Sequence, residues 1–344
     1  MKIIFALFLL MFLILPGRVK AQNAESETNR ETSKSFVSVP VTVSDRENHY
    51  ILDLKKEDFT IYQDGVKQKT IFFSAYNEPL KIVLLLDTSK STRNVIGKIK
   101  DAAKEFVDSL KKNDQCQVAT FDSQVNVINS FTSDHQAIKN SLDRIKINNY
   151  GATLLYNAVN QIVQNSFKDT KGRKVIIVLT DGNDFGSSLT KDEFLNRLEE
   201  SDILIYSIFF KSDKDFNVSA DTPKKPKKKK KKSRESRINA ANVAQTVYVP
   251  TDEQIANLEK KEFDEAVDTL KKMSDITAGR FYLSDVPKLK KVFKTITGEL
   301  TQQYRLGYDA KNAASDLPTH EISVKVDRPD VVVRTRGIFR TKKF

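Results

Sequence analysis

The sequence feature that most constrains the fold is an apolar run that ends abruptly in a carboxylate. Residues 82–86 read Ile-Val-Leu-Leu-Leu, and Asp87 follows them directly, with hydroxyls at Ser89 and Ser91. An uninterrupted apolar run of this length predicts a strand that is buried on both faces, as in the centre of a parallel sheet. Because ligands bind beyond the carboxyl ends of such strands, Asp87 and the two hydroxyls are placed where a site usually forms.

Two later stretches supply further oxygen ligands. Residues 175–179 form a second apolar run, which ends in Thr180-Asp181-Gly182, and Gly151-Ala152-Thr153 opens a predicted helix between the two runs. Carboxylates and hydroxyls without a nearby His or Cys form a hard-oxygen set, which suits Mg²⁺ better than zinc. Each stretch alone could be a strand followed by a polar turn. All three pieces in order, each in a suitable structural context, favour a metal site.

The pattern Asp-x-Ser-x-Ser, a downstream Thr and a downstream strand-end Asp resembles the metal-ion-dependent adhesion site of von Willebrand factor type A domains. The resemblance implies direct coordination of Mg²⁺, or of Mn²⁺ or Ca²⁺, by Ser89, Ser91 and Thr153. It also implies that Asp87 and Asp181 act largely through bound waters. A coordination position would then stay open for a Glu or Asp carboxylate of a partner protein.

Residues 81–303 alternate between amphipathic and apolar stretches. Apolar side chains at residues 96, 99, 103, 106 and 110 form one helical stripe, and strands are predicted at 116–121, 125–131, 203–210 and 280–283. This alternation predicts a doubly wound, mostly parallel α/β sheet of the Rossmann-like kind, which is also the fold that the resemblance implies.

β segments flank this α/β region on both sides. In residues 36–78, valines alternate with polar residues and a hairpin turns at Asp64-Gly65, while residues 304–340 carry strands at 304–308, 321–326 and 331–339. Neither segment is long enough to form a core alone, so we expect them to pair as one β-sandwich-like domain. Residues 54–59, 62–66 and 304–308 are similar to bacterial exported proteins known as VWFA-related domain proteins.

The N-terminus predicts export. Met1-Lys2 and the apolar residues 3–15 are typical of a secretory signal peptide, with cleavage expected after Ala21. An uncleaved anchor is the alternative. The apolar run is too short for a comfortable bilayer span, and no later segment is predicted to span one. Residues 22–35 are polar and predict a disordered leader. The expected location is the periplasm, the cell surface or the medium.

The positive charge of the chain is local. The formal net charge is +12, of which residues 223–237 contribute +9 through eight Lys and two Arg against one Glu. The run Lys224–Lys232 lies in a predicted disordered insertion at about 211–250. Such a tract can hold an anionic polymer or a membrane surface. No aromatic residue interleaves it, which disfavours specific nucleic-acid recognition.

Catalytic signals are weak in this sequence. The three histidines lie far apart, the single Cys116 has no disulfide partner, and no Gly-rich phosphate loop accompanies the candidate metal ligands. We therefore expect an exported, non-enzymatic protein that binds an acidic residue of a protein partner through a divalent metal. The alternative is binding of an anionic polymer or membrane surface by the Lys-rich insertion, with the metal site incidental.

Overall fold

The computed structural model describes residues 36–75, 78–148, 152–168, 170–211, 252–310 and 318–341. The strands among these residues form one six-stranded sheet and two four-stranded sheets. The predictions of a signal peptide, a disordered leader and a disordered Lys-rich insertion fall outside the described residues. Among the described residues, none of the helices combines the length and the apolar character needed to cross a bilayer.

The described residues begin with a set of N-terminal strands and end with a set of C-terminal strands. The N-terminal set is β1 (Phe36–Ser44), β2 (Phe59–Gln63), β3 (Val66–Gln68) and β4 (Phe72–Ser74). The region between the two sets alternates strands with helices. Its elements are β5 (Leu80–Asp87), α1 (Ile96–Asp108), β6 (Gln115–Phe121), β7 (Val125–Val127), α2 (His135–Arg144), α3 (Leu155–Gln161), β8 (Arg173–Thr180), α4 (Lys191–Glu199), β9 (Leu204–Lys211), α5 (Asp252–Ile276), β10 (Phe281–Asp285) and α6 (Leu289–Leu300). The C-terminal set is β11 (Tyr304–Asp309), β12 (Thr319–Val326), β13 (Val332–Thr335) and β14 (Ile338–Arg340).

The six-stranded sheet has the order β10-β9-β8-β5-β6-β7, and every neighbouring pair except β6–β7 is parallel. Its two faces carry separate hydrophobic cores. Ile82, Leu84 and Leu86 of β5 pack with α1, α2 and α6, whereas Val83 and Leu85 pack with α3, α4 and α5. Successive side chains of a strand point to opposite faces, so a continuous apolar run fits this burial. The predicted α/β fold with a doubly wound, mostly parallel sheet is confirmed.

The two four-stranded sheets have the orders β13-β1-β11-β4 and β14-β12-β2-β3. Each sheet therefore combines strands from before and after the α/β region, with β1 paired to β11 and β2 paired to β12. Side chains of both sheets share one core, which includes the four alternating valines of β1 and Tyr304 of β11. The β-sandwich-like part of the predicted fold class is thus present. Whether the segments fold as one separate domain stays a prediction.

Two strand predictions need correction. The expected strand at 125–131 ends at Val127. Beyond it, the side-chain amide of Asn129 makes hydrogen bonds to the backbone of β6 that a strand backbone would otherwise make. Its Oδ1 accepts from the Val118 amide at 3.0 Å, and its Nδ2 donates to the Cys116 carbonyl at 3.1 Å. The expected strand at 331–339 is two short strands, β13 and β14, which belong to different sheets.

A buried ionic cluster connects the C-terminal strands to the α/β region. The Glu299 carboxylate of α6 is fully buried; it accepts from the Tyr206 hydroxyl at 2.8 Å and lies 3.0 Å from Arg280 Nε. Arg334 of β13 also pairs with Glu299 and donates to the Gly279 carbonyl at 3.2 Å. A buried carboxylate is tolerated when it is paired and hydrogen-bonded in this way. The cluster therefore fixes β13 against the end of α6.

Candidate metal centre

The candidate site lies beyond the carboxyl ends of β5 and β8, which pair in parallel up to Leu86 and Leu179. Asp87, the last residue of β5, is 1% exposed. Its Oδ1 accepts from the Ser89 amide at 2.8 Å, and its Oδ2 accepts from the Thr180 hydroxyl at 2.7 Å. The two strand ends therefore hold the Asp87 carboxylate in a fixed orientation, as the apolar runs of the sequence lead us to expect.

The two serines connect Asp87 to the second predicted carboxylate. Ser89 Oγ lies 3.0 Å from Ser91 Oγ, and Ser91 Oγ donates to Asp181 Oδ1 at 2.7 Å. Ser89 begins a short 3₁₀ turn over Lys90–Asn94, and the Thr92 hydroxyl donates to the Ser89 carbonyl at 2.9 Å. This turn brings the two serine hydroxyls to the same side. Four of the five predicted ligands thus form one hydrogen-bonded group.

Thr153, the fifth predicted ligand, reaches the same edge of the sheet through its backbone. The Thr153 carbonyl accepts from the Phe185 amide at 2.8 Å, and the next residue, Leu154, donates its amide to the Asp122 carbonyl at 2.8 Å. Asp122 follows β6 and Phe185 follows β8, and β5 lies between these two strands. Residues 153 and 154 therefore cross the carboxyl end of β5, where Asp87 lies. The expected loop-to-helix junction is also present, because α3 begins two residues later.

Asp122 is a residue of this edge that the sequence reading did not single out. Its carboxylate is buried and accepts hydrogen bonds from the Thr88 hydroxyl at 3.1 Å, from Asn148 Nδ2 at 3.2 Å and from the amide and hydroxyl of Ser123. It therefore orders the loop beside Asp87. The available signal was that Asp122 follows the apolar run 116–121, just as Asp87 follows the run 82–86. Residues 122–124 connect the two strands predicted at 116–121 and 125–131, so a polar residue there is also expected of an ordinary turn.

Thr180 is the second residue without a predicted role. It is fully buried, donates to Asp87 Oδ2 and accepts from the Gly182 amide at 3.1 Å. Its hydroxyl therefore links the end of β8 to the Asp87 carboxylate. In the sequence it was visible as part of Thr180-Asp181-Gly182, but a sequence alone does not show which carboxylate a hydroxyl contacts across two strands.

The electrostatics of this edge favour a bound cation. Burial raises the pKa of Asp87, and the nearby Asp122 carboxylate raises it further, while hydrogen bonds from Ser89 and Thr180 oppose the shift. A buried carboxylate of this kind is neutralised by a proton or offset by a nearby cation. In the part of the chain that the structure describes, no three His, Cys, Asp or Glu side chains converge as metal ligands. A metal here would therefore need the serine and threonine hydroxyls, and a mixed hydroxyl and carboxylate set fits Mg²⁺, Mn²⁺ or Ca²⁺.

Comparison with known proteins gives a match to a family model. The model of the von Willebrand factor type A domain matches residues 82–183, which include the candidate ligands from Asp87 to Asp181. An uncharacterized protein of Borreliella burgdorferi is 27% identical over 160 residues, which are 44% of this chain and 46% of that protein. The chain thus spans about half the length of this curated relative.

Solved structures are similar at the level of the chain trace. Proximal thread matrix protein 1 from the mussel byssus, in a structure with a zinc-occupied MIDAS motif, is 16% identical with a TM-score of 0.46 and covers 69% of this chain and 49% of its own. An aerotolerance-related membrane protein from Bacteroides fragilis is 18% identical with a TM-score of 0.41 and covers 64% of this chain and 98% of its own.

Proposed function

Residues 82–183 of this chain form a von Willebrand factor type A domain, and we propose that this domain is a metal-dependent, non-enzymatic binding module for a protein partner. The partner would present an Asp or Glu side chain to a divalent cation held by Asp87, Ser89, Ser91, Thr153 and Asp181. Mg²⁺ is the proposed ion. The signal-like N-terminus supports a place of action outside the cytoplasm.

One observation carries this proposal. Asp87, Ser89, Ser91 and Asp181 come from two strand ends that are far apart in sequence, and yet they form one hydrogen-bonded group with distances of 2.7 to 3.0 Å. A polar turn with no further role would not need to bring two serine hydroxyls and two carboxylates together. The hydroxyls of Ser89 and Ser91 are suited to bind the ion, and the buried Asp87 and Thr180 are suited to orient them.

When bound, the cation would supply a positive centre with an exchangeable coordination position. The chain's own residues determine what can reach it. Asp87 is buried under the serine turn, whereas Ser91 and Asp181 are partly exposed, so the accessible side of the group faces away from the sheet.

The metal is tested first. Titration calorimetry with Mg²⁺ and with Mn²⁺ on the protein of residues 22–344 should show one site, which Ser91→Ala weakens at least tenfold. Ser201→Ala is a matched control, because its half-buried hydroxyl donates to the Leu198 carbonyl at the other end of the sheet. Equal binding by all three proteins would show that the ion does not bind at the proposed site.

The partner chemistry is tested next by selecting displayed random peptides on the wild-type protein in Mg²⁺ and eluting them with EDTA. The proposal requires eluted peptides enriched in Asp or Glu. Peptides that survive EDTA and are released by salt would instead support the alternative, in which the Lys-rich tract binds anionic polymers.

A further inference from the structure

Phe185 is a large apolar residue whose side chain is exposed to solvent at the edge of the sheet that carries the candidate metal ligands. It is 72% exposed, which exceeds the exposure of each of the other large apolar residues that the structure describes as exposed. It follows Asp181 by four residues, and its amide donates to the carbonyl of Thr153 at 2.8 Å. An exposed aromatic residue is thus fixed by its backbone to a candidate metal ligand on one side and follows another closely in sequence.

The loop that carries Phe185 is held by helix α3. This helix begins after Leu154, which provides no side-chain cap, and residues from the loop replace that cap. Asp184 accepts from the Tyr156 amide at 2.9 Å and from the Ser187 hydroxyl at 2.6 Å, and the Ser187 hydroxyl in turn accepts from the Asn157 amide at 3.1 Å. The free amides of a helix N-terminus need such acceptors, so the loop and the helix order each other.

Gly186 completes the turn after Phe185. Its φ is +105°, a backbone conformation that residues with a side chain rarely adopt. A Cβ at this position would lie 3.2 Å from a Leu154 methyl group. The turn therefore favours glycine for its conformation, and a Cβ here would also crowd the Leu154 side chain at the start of α3. The position of Phe185 relative to Thr153 follows from these contacts.

We propose that Phe185 selects the partner, by contacting a large apolar side chain next to the Asp or Glu that reaches the metal; this inference rests on the proposed function. Because the loop is already ordered, binding to Phe185 costs little additional conformational entropy. Burial of an exposed phenyl ring is favourable, and aromatic residues are enriched in the buried centres of interfaces.

The surroundings of Phe185 favour a protein segment as its occupant. Its sequence neighbours Asp184, Gly186, Ser187 and Ser188 are polar or small, so Phe185 is the large exposed apolar side chain of this loop. A stable dimer interface buries several hundred Å² on each partner, and a membrane-binding surface needs several apolar residues on one face. A short acidic segment with one apolar neighbour matches a single phenyl ring beside a cation site.

The test compares the wild-type protein with Phe185→Ser and with Val332→Ser, which removes an exposed apolar side chain from the β-sandwich-like part. Displayed peptides selected in Mn²⁺ and eluted with EDTA should carry a large apolar residue within two positions of the Asp or Glu on wild type and on Val332→Ser. On Phe185→Ser the acidic residue should remain while the apolar preference disappears. The best wild-type peptide, labelled for fluorescence polarisation, should bind Phe185→Ser about 10-fold to 100-fold more weakly.

The outcomes separate this inference from the proposed function. Acidic peptides without an apolar preference, or equal affinity for Phe185→Ser, would overturn the inference while the metal-dependent function stands. An absence of EDTA-eluted acidic peptides on wild type would overturn both. Mn²⁺ affinity, measured by calorimetry, should be the same in all three proteins, and its loss in Phe185→Ser would assign Phe185 a structural role instead. A dimer in light scattering that Phe185→Ser abolishes would make a second copy of the chain the occupant, against the inference.

Discussion

Arg336 donates a hydrogen bond from Nη2 to the carbonyl oxygen of Glu199 at 2.6 Å, and this contact joins the C-terminal strands to the end of helix α4. Nη1 of the same guanidinium donates to the Ser201 carbonyl at 2.8 Å. The last carbonyls of a helix have no partners within the helix and favour a nearby cation. Burial lowers the pKa of Arg336 to about 10, which still leaves it charged at neutral pH.

Removal of this guanidinium should destabilise the protein. Arg336→Met keeps most of the side-chain volume but leaves three partly buried carbonyls, of Glu199, Ser201 and Ile338, without this donor. We therefore expect the free energy of unfolding in urea to fall by about 2–4 kcal/mol. Arg46→Met is the control, because Arg46 and its partner Asp330 are 78% and 75% exposed. Such exposed pairs contribute less than about 1 kcal/mol. Equal effects of the two substitutions would contradict this account.

The sequence predicts the parts of this protein that depend on local pattern. Residues 82–86 and 175–179 are uninterrupted apolar runs, and both are central strands, because a strand covered by helices on both faces has no polar side. The clustering of Asp87 and Asp181 follows from the parallel sheet, since Asp87 ends β5 and Asp181 directly follows β8, its neighbour. Export, the leader and the Lys-rich insertion stay predictions.

The features that the sequence does not predict depend on contacts between distant residues. Residues 331–339 alternate well enough for one strand, but the chain turns at Arg336, where the guanidinium reaches the end of α4, and β13 and β14 enter different sheets. Asp122 follows a strand just as Asp87 does, but its role depends on the Thr88 hydroxyl, which lies on the neighbouring strand end. Neither contact leaves a mark on the local pattern.

Thr180 should be a positioning residue for the metal. Thr180→Val is nearly isosteric and removes the hydroxyl that donates to Asp87 Oδ2 at 2.7 Å. Groups that orient metal ligands contribute about 10-fold to 100-fold in affinity, so we expect a loss of Mn²⁺ affinity in that range. Thr295→Val serves as the control, because its hydroxyl donates to the Lys291 carbonyl on the exposed side of α6. Unchanged Mn²⁺ affinity in Thr180→Val, with the far-ultraviolet circular dichroism of the wild type, would show that Asp87 needs no such support.

Cys116 should be inert in the native protein. It is fully buried, and burial raises the pKa of its thiol from 9.0 to about 12. The thiolate is the reactive form, so at pH 8 labelling by a disulfide reagent should be at least about a thousandfold slower in the native protein than in urea. Rapid labelling of the native protein would place the thiol at the surface.

The same pKa shift predicts how stability changes at high pH. The unfolded state loses the thiol proton near pH 9, whereas the folded state keeps it to about pH 12, so the unfolded state binds fewer protons in this window. Stability should therefore be unaffected below about pH 8 and fall by about 1.4 kcal/mol per pH unit above 9 from this group. Cys116→Ala should lack this pH-dependent fall in stability and should instead be destabilised by the same amount at every pH. Parallel pH profiles of the two proteins between pH 9 and 11 would rule out the shift.

The N-terminal strands should depend on the C-terminal strands for their folding. β1 lies between β13 and β11, and the Tyr304 hydroxyl of β11 donates to the Ile51 carbonyl at 3.0 Å. Deletion of residues 304–344 removes both neighbours of β1 and leaves its edges unpaired. Limited proteolysis should then cleave within residues 36–78.

In the same digest, residues 81–303 outside the predicted insertion at about 211–250 should resist cleavage, because their sheet and both of its cores involve no residue beyond 303. Glu299 would lose Arg334 but keep Arg280 and the Tyr206 hydroxyl, so this fragment should remain folded but unfold at a lower temperature than the full protein.

A second deletion, of residues 336–344 alone, removes β14 and Arg336 but keeps both neighbours of β1. It should therefore protect residues 36–78 better than the longer deletion does. Equal cleavage of residues 36–78 in the two truncated proteins, or protection of this segment in both, would show that β11 and β13 are not what orders β1.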